Sequence, residues 1–277
     1  MLNIRIHIII LRGDVDMIRV AGQEFIKKNL PLLNKNGRDE SGLFIVEGEK
    51  FVSEIPRSWG VKYYIVSNKF RQTHSLAGFE ARAGVYAVQD WQYEKLSDTV
   101  TPQGIMAVCE KKRVSLSDLL SARPLVLLCE SLSDPGNVGT MIRTAAAAGA
   151  SGVILTKGSA DLYGPKVIRA SAGAFFHINC VDGADALPAA LFLKERHVVL
   201  SAGRLNGETS PYDADMTAAS CIMIGNESHG LSPELSALAD IRVKIPMNPA
   251  VESLNAAAAG IVLLYEAVRQ RLKAPSQ

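Results

Sequence analysis

The sequence predicts an α/β protein with two domains: a C-terminal domain whose parallel sheet lies between helices, and a smaller N-terminal α/β domain. The 277 residues, 48% apolar and 21% charged, are enough to bury a sizeable core in each. Short apolar runs alternate with helical patterns, and in the second half the runs are almost uninterrupted, which is typical of parallel strands buried on both faces. A charged, serine-containing stretch between the halves indicates a linker.

The individual elements follow from these runs. Predicted strands occupy residues 43–46, 63–66, 85–88 and 105–108 in the first half, and residues 125–128, 153–155, 197–200, 221–224 and 243–246 in the second. One helix is predicted to end at Gly149, and a long closing helix to run from Leu254 to Leu272. We therefore place an N-terminal domain at residues 17–108, the linker at 109–122 and a C-terminal domain at 123–277.

Charge, cysteine and histidine usage restrict the classes of function. The formal net charge of +2 does not by itself indicate a nucleic-acid partner, but the first 122 residues carry +3 and the remainder −1. Four cysteines without a CxxC pair favour a reducing, cytoplasmic compartment. The apolar stretch at residues 4–11 is too short and too polar for a signal peptide or membrane span, so no membrane association is expected. The five histidines show no HExxH pairing, and we expect no metal site.

The first candidate site follows the strand at 125–128, at the sheet edge where ligands of open α/β sheets bind. The polar, glycine-containing segment 133–140 enters a helix there. A tight turn with Asp134 or Asn137 as the helix cap is the alternative explanation. Arg143 favours a site, because it stands among small and apolar residues of that helix and is expected to meet an anion or a polar substrate.

The second candidate site follows the strand at 221–224. Gly225 lets a backbone or a ligand approach the strand end, and Asn226 and Glu227 place polar groups where the strand becomes a loop. A turn at Gly230 and a helix beginning at residues 232–234 account for the residues beyond. They leave Glu227 unexplained.

The third candidate site precedes the closing helix. Pro246 and Pro249 interrupt regular hydrogen bonding, so nearby backbone groups are free to bind a ligand. Ser253 and Asn255 stand at the helix entrance beside Glu252, and capping alone requires one such residue.

Other enzyme classes fit less well. No GxGxxG follows a predicted strand, which argues against a dinucleotide-dependent oxidoreductase. The segment 203–210 has the wrong glycine spacing for a phosphate loop and lacks its lysine, which argues against an NTPase.

Taken in order, the three loops resemble the motifs of the SpoU/TrmH family of RNA ribose 2′-O-methyltransferases, within the SPOUT superfamily. The matching residues are Asn137, Arg143, Thr144 and Gly149, then Gly225, Asn226, Glu227, Gly230, Leu231 and Ser232, then Ile245, Pro246, Met247, Glu252, Ser253, Leu254 and Asn255. Residues 38–50 and 97–108 are similar to the small RNA-binding domain, related in fold to a ribosomal protein, that precedes the catalytic domain in many members. Residues 1–16 match nothing in the family, and Met17 is an alternative start.

The resemblance implies a trefoil-knotted SPOUT domain that holds S-adenosylmethionine. The matching cofactor contacts are Gly203, Gly225, Ile245, Met247 and Leu254. The matching catalytic positions are Arg143, which acts on the 2′-hydroxyl, and the polar residues Asn137, Glu227, Ser253 and Asn255, which orient it or fix the site geometry. Arginine normally stays protonated, so phosphate clamping or hydroxyl orientation by Arg143 is an alternative to its acting as the base.

The resemblance also implies partners. We expect ribosomal RNA as the substrate, with transfer RNA second, and a homodimer formed through the C-terminal domain. Basic residues of the first half and linker are the expected RNA contacts: Lys27, Lys28, Lys35, Arg38, Lys111, Lys112 and Arg113. A catalytically inactive RNA-binding or ribosome-assembly homologue is the non-enzymatic alternative.

One residue departs from the family pattern. Many members have glycine where this chain has Pro249, and proline fixes φ and removes an amide donor. We therefore expect the third loop to differ locally. Since Ile245, Met247 and the residues at 253–255 keep their spacing, cofactor binding is still expected.

Overall fold

The computed structural model describes residues 18–273 as two compact units, each built on its own β-sheet. The chain passes from the first unit to the second between Lys112 and Arg113, and the short segment Tyr163–Pro165 groups with the first. Residues 1–16 and the alternative start at Met17 lie outside the described residues.

The first unit has a five-stranded mixed sheet with short helices. Its elements are β1 (Arg19–Val20), α1 (Gln23–Asn29), α2 (Lys35–Ser41), β2 (Leu43–Glu47), α3 (Glu49–Glu54), β3 (Val61–Ser67), α4 (Asn68–Thr73), α5 (Ala77–Glu80), β4 (Gly84–Val88), α6 (Asp90–Glu94) and β5 (Ile105–Glu110). The strand order is β1-β4-β3-β5-β2, in which β5 is antiparallel to both neighbours. All four predicted strands are present, and only β1, which is two residues long, was missed.

The second unit has a six-stranded sheet between helices. Its elements are β6 (Leu125–Cys129), α7 (Pro135–Ala147), β7 (Gly152–Thr156), α8 (Pro165–Ala170), β8 (Cys180–Ala184), α9 (Ala186–Lys194), β9 (Val199–Gly203), β10 (Ser220–Ile224), α10 (Pro233–Ala237), β11 (Ile241–Val243) and α11 (Ala256–Lys273). The order is β11-β9-β10-β6-β7-β8 with every pair parallel, which confirms the predicted parallel sheet.

One strand of this unit was missed, and two predicted strands have bounds that differ by more than one residue. The strand predicted at 197–200 is β9, which begins at Val199. Strand β8 was missed because Asp182 and Gly183 interrupt its apolar run. The strand predicted at 243–246 is β11, which ends at Val243. Pro246 has no N–H to donate to a ladder, so the chain leaves the sheet before it.

The strand order places the three candidate loops side by side. Strands β9, β10 and β6 are parallel neighbours and β11 pairs with β9, so their carboxyl ends reach the same edge of the sheet. The loops that follow β6, β10 and β11 are the first, second and third candidate sites. All five residues of the central strand β10 are buried, so it provides a rigid base for the loop that follows it.

The closing helix α11 packs against α7 and β10. A Cβ on Gly260 would lie 2.5 Å from the Sδ and Cε atoms of Met141 on α7, so glycine permits this close approach. Leu263, Leu264 and Ala267 of the same helix are completely buried. This packing brings the residues just before α11 to the amino end of α7.

The last turn of α11 is held by Arg271. Its guanidinium donates hydrogen bonds of 2.6–3.3 Å to the Ser220 hydroxyl and to the carbonyl oxygens of Arg123, Pro124, Met216 and Ala218. One side chain thus ties the helix to the start of β6 and to the segment before β10.

We expect Arg271→Ala to lower the free energy of unfolding by about 2–4 kcal/mol, because several acceptors lose a charged donor at once. Urea denaturation followed by circular dichroism measures the change. The matched control is Lys273→Ala, an exposed cation in the same turn, for which we expect less than about 0.5 kcal/mol. Equal losses for the two variants would contradict this role.

Candidate active site

A cavity opens at the carboxyl ends of β9, β10 and β11. The last residue of each strand, Gly203, Ile224 and Val243, lines it, and the loops after β10 and β11 form the remaining walls. Its volume is about 450 Å³. Small-molecule sites range from about 300 to 1,000 Å³, so the cavity is large enough for a nucleoside-sized ligand.

The five residues expected to contact the cofactor all line this cavity. They are Gly203, Gly225, Ile245, Met247 and Leu254. Two of the five expected catalytic residues, Glu227 and Ser253, also line it.

The amino end of α7 presents Asn137 to the site. Asp134 is the N-cap, and its Oδ1 atom accepts the Asn137 backbone N–H at 2.7 Å, while Pro135 occupies the first turn. Of the two caps considered for this helix, Asp134 is the one observed. The Asn137 side chain is therefore available for other contacts.

A chain of hydrogen bonds joins the three candidate loops. The Asn255 Nδ2 atom donates to Asn137 Oδ1 at 3.0 Å, and the Asn137 Nδ2 atom donates to Glu227 Oε1 at 3.0 Å. These residues are 118 and 90 positions apart in sequence. The chain connects the amino ends of α7 and α11 to the loop after β10.

The groups at the two ends of this series of hydrogen bonds determine which atoms donate and which accept. Asn255 is the N-cap of α11, and its Oδ1 atom accepts the backbone N–H groups of Ala257 and Ala258 at 2.9 and 3.2 Å. Its amide nitrogen is therefore the group that faces Asn137. An ionised Glu227 only accepts hydrogen bonds, so Asn137 must turn its own amide nitrogen toward that carboxylate.

Glu227 is held in its ionised form. Its partial burial raises the pKa, but hydrogen bonds from the Asn137 side chain and from backbone N–H groups outweigh this effect, so the pKa lies below its usual value. Ionised Glu227 therefore stabilises the folded state at pH values above the unfolded pKa of about 4.3. This contribution is lost as the pH falls through the lower pKa of the folded state.

The difference in melting temperature between the wild type and Glu227→Gln is therefore expected to shrink between pH 6 and pH 3. Differential scanning fluorimetry across this range measures it. Glu94→Gln is the control, because the exposed Glu94 side chain has no hydrogen bond to any residue between 18 and 273. A difference for Glu227→Gln that does not change with pH would contradict the assignment.

Asn226 and Glu130 position the loops, and only the structure reveals these contacts. The Asn226 Nδ2 atom donates to the Ser131 carbonyl at 2.8 Å, and its Oδ1 atom accepts the Ser228 N–H at 2.9 Å. Ser131 has φ of 50°, a left-handed conformation that its neighbours must hold in place. Glu130 accepts the Ser232 N–H at 2.7 Å, across 102 positions, and no sequence pattern connects these two residues.

The third loop accommodates its proline in a turn. The Val251 N–H donates to the Asn248 carbonyl at 2.9 Å, and Asn248 Oδ1 accepts the Ala250 N–H at 2.9 Å. Pro249 is therefore the second residue of a β-turn, where its fixed φ is favoured and its missing N–H is not needed.

Arg143 does not reach the cavity of its own chain. It is exposed on α7, does not line the cavity, and has no hydrogen bond or ion pair with any residue of the described part of the chain. Its guanidinium is therefore available to a second molecule.

The expected RNA contacts differ in how far they are exposed. Arg38 must be removed from this set: its side chain is 4% exposed, and its Nη1 atom donates to the Leu32 carbonyl at 2.6 Å. Lys111 is 15% exposed and pairs with Asp39 at 2.5 Å, so its charge is already neutralised locally. The others are exposed, namely Lys27, Lys28, Lys35, Lys112 and Arg113.

The described residues contain neither a metal-binding cluster nor a membrane-spanning helix. Between residues 18 and 273, no group of three or more histidine, cysteine, aspartate or glutamate side chains is placed to hold a metal ion. Over the same residues, no helix combines the length and the apolar character needed to cross a membrane.

Comparison with known proteins identifies relatives of both units. Residues 124–265 match the SpoU rRNA Methylase family, and residues 23–107 match the MRM3-like substrate binding domain. The chain is 33% identical to the 23S rRNA (guanosine(2553)-2′-O)-methyltransferase RlmP of Bacillus subtilis, covering 90% of this chain and 97% of that protein. It is 31% identical to human mitochondrial rRNA methyltransferase 3, covering 84% of this chain and 69% of that protein.

A solved structure also resembles this one. The crystal structure of the SpoU methyltransferase AviRb from Streptomyces viridochromogenes, in complex with the cofactor AdoMet, superimposes with a TM-score of 0.81 at 29% identity, covering 91% of this chain and 99% of that chain.

Proposed function

Because this chain belongs to the SpoU rRNA methylase family, we propose that it transfers the methyl group of S-adenosylmethionine to a ribose 2′-hydroxyl of ribosomal RNA. The observation that carries the proposal is the cavity at the strand ends with the Asn255–Asn137–Glu227 chain beside it. The relatives named for 23S rRNA 2′-O-methylation cover nearly the whole chain, which supports ribosomal RNA over transfer RNA.

The residues of the cavity fit the cofactor. Apolar side chains, among them Leu231, Val243 and Ile245, suit the adenine ring, while polar groups suit the ribose and the methionine part. A Cβ on Gly203 would lie 3.1 Å from the Ile224 and Leu263 side chains, so glycine lets these two buried side chains pack against the end of β9 beside the cavity. Bound there, the cofactor supplies an electrophilic methyl group.

The chain's own residues have two tasks in this reaction. Glu227, Asn137 and Asn255 keep the loops in one arrangement, which aligns the reacting groups and accounts for a large share of the rate enhancement in such transfers. Arg143 orients the 2′-hydroxyl and neutralises a neighbouring phosphate, in keeping with a guanidinium that stays protonated. Ser253, on the cavity wall, is a further hydroxyl for binding the substrate ribose.

RNA recognition is assigned to the first unit. Its match to a substrate-binding domain supports this, as do the exposed cations Lys27, Lys28 and Lys35. Lys112 and Arg113 are further exposed cations, within the predicted linker. Such contacts to phosphates make binding depend strongly on salt.

We also propose that the second unit is knotted and dimeric. After the edge strand β11, helix α11 returns over β9 and β10, further inside the sheet, which supports threading of the carboxyl end. The exposed Tyr265 and Leu272 of α11 support a partner subunit on this helix, and the exposed Arg143 is then available to the partner's cavity. Light scattering is expected to give about twice the chain mass of 29.8 kDa, and a mass of one chain would contradict the dimer.

Four buried free cysteines support a cytoplasmic location. All four thiols are buried. Burial raises the pKa of Cys109 and of Cys221 to about 12, so neither forms a reactive thiolate at neutral pH. They serve as small core residues that require no oxidising environment.

Methylation of total RNA with radiolabelled S-adenosylmethionine tests the proposal. Label is expected in ribosomal RNA, at a nucleotide resistant to alkaline cleavage on its 3′ side because its 2′-hydroxyl is blocked. Label found only in transfer RNA would show that ribosomal RNA is not the substrate. Label found on a base would show that the reaction is not ribose methylation. Calorimetry that detects no cofactor binding would overturn the proposal as a whole.

A further inference from the structure

An arginine that no motif includes, Arg204, stands in the wall of the cofactor cavity. It directly follows β9, and its backbone N–H donates to the Val243 carbonyl of β11 at 2.9 Å, which extends the strand pairing by one residue. The residue is therefore fixed at the edge of the sheet where ligands bind. In the sequence it stands within the segment 203–210, which has the wrong glycine spacing for a phosphate loop, so no role was predicted for it.

The guanidinium of Arg204 is anchored but not neutralised. Its Nη1 atom donates to the hydroxyl of Ser236, a residue of α10 that is 2% exposed. No carboxylate between residues 18 and 273 pairs with Arg204. Four of its five N–H groups thus have no partner in this part of the chain, although the side chain is only partly exposed.

The other formal charges of the cavity are negative. Glu227 and Glu252 line it together with Arg204. S-adenosylmethionine carries two cationic groups, the sulfonium and the ammonium, and a single anionic group, the carboxylate of its methionine part. The cavity and the cofactor therefore have complementary charges, and Arg204 is the complement of the one anion.

We propose that Arg204, held by Ser236, binds the carboxylate of the cofactor's methionine part and so selects ligands that carry an amino acid over plain adenosine derivatives. This assignment rests on the proposed function. Ser236 is a positioning residue, since it fixes the guanidinium without touching the ligand. A bidentate contact is expected, because the guanidinium geometry matches a carboxylate.

Calorimetry with two cofactor forms that differ in one group tests the proposal. We expect Arg204→Ala to weaken binding of S-adenosylmethionine by about 10- to 100-fold. Binding of decarboxylated S-adenosylmethionine, which lacks only the carboxylate, is expected to change by less than about twofold. Arg204→Lys keeps the charge but cannot form two parallel hydrogen bonds. Its affinity for S-adenosylmethionine should lie between those of the wild type and Arg204→Ala, and its affinity for the decarboxylated form should not change.

Arg242→Ala is the matched control. Arg242 belongs to the neighbouring strand β11, pairs with Glu208 at 3.6 Å and does not line the cavity. Its replacement therefore removes one positive charge near the site but no contact with the ligand. Both ligands should bind this variant as they bind the wild type.

The possible outcomes separate the two proposals. If the wild type binds neither ligand, the proposed function fails. Suppose instead that the wild type binds S-adenosylmethionine, but Arg204→Ala and Arg204→Lys lower the affinity for both ligands equally or leave both affinities unchanged. The carboxylate contact is then wrong, and the methyltransferase assignment stands. If only RNA binding weakens, Arg204 contacts a phosphate instead and the proposal is overturned.

Discussion

Replacing Arg143 with alanine is expected to lower the rate of methyl transfer by about 100- to 10,000-fold. The melting temperature and the affinity for S-adenosylmethionine should stay at wild-type values, because the exposed side chain has no hydrogen bond or ion pair with any residue between 18 and 273 and does not line the cavity. Single-turnover methylation of ribosomal RNA measures the rate, and calorimetry measures the affinity. Arg196→Ala, another exposed arginine of the second unit, is the control and should react at the wild-type rate.

A loss of cofactor affinity that accounts for the whole loss of rate would contradict this role for Arg143. So would a wild-type rate in the variant. Arg143→Lys separates charge from geometry, since lysine keeps the charge but cannot bind a phosphate with two parallel N–H groups. We expect it to recover only part of the lost rate.

Replacing Gly225 with alanine is expected to distort the loop after β10, which forms one wall of the cavity. The added Cβ would lie 2.0 Å from the Gly230 carbonyl carbon and 2.1 Å from the Leu231 nitrogen, and backbone atoms cannot move aside as the end of a side chain can. We expect a loss of about 1–3 kcal/mol in the free energy of unfolding and at least about tenfold weaker cofactor binding. Urea denaturation and calorimetry measure the two effects.

Gly78→Ala is the matched glycine control. A Cβ at Gly78, on the exposed surface of α5, would have no atom within 4 Å. Alanine also favours a helix more than glycine does, so stability should stay equal or rise slightly. Wild-type cofactor binding by Gly225→Ala would show that the loop moves without cost and would contradict the packing argument.

The two variants together test whether the partner subunit completes each site. In a mixed dimer, the Arg143→Ala subunit has an intact cavity and the Gly225→Ala subunit has an intact arginine. If Arg143 serves the partner's cavity, one of the two sites is complete and activity returns to about half of the wild type. If Arg143 serves its own cavity, neither site is complete and the mixed dimer stays inactive.

Much of this architecture was available from local sequence patterns. Uninterrupted apolar runs such as residues 125–128 and 221–224 predicted buried parallel strands, because a strand covered on both faces has no polar positions. Polar residues placed just after such runs predicted the site loops, since strand ends are where a sheet opens to a ligand. These signals are short in range, and each can be interpreted without knowing the rest of the fold.

The failures came where the signal was weak or distant. Strand β8 contains Asp182 and Gly183, and β1 has only two residues, so neither has a pattern to detect. Arg38 was interpreted as a surface cation because the pattern near it is polar, whereas its guanidinium is buried against the Leu32 carbonyl. Burial of a charged side chain depends on the elements packed around it, which composition does not reveal.

The sequence alone determined the class of fold, the three loops and the residue types in them, because these depend on periodicity and on neighbours along the chain. Only the tertiary structure decided which atoms meet. It joined Asn255 to Asn137 and Asn137 to Glu227, placed Arg204 in the cavity, and left Arg143 outside it. These relations depend on the order of parallel strands and on the packing of α11 against α7, and hydrogen bonds that span 90 to 118 positions leave no local trace in the sequence.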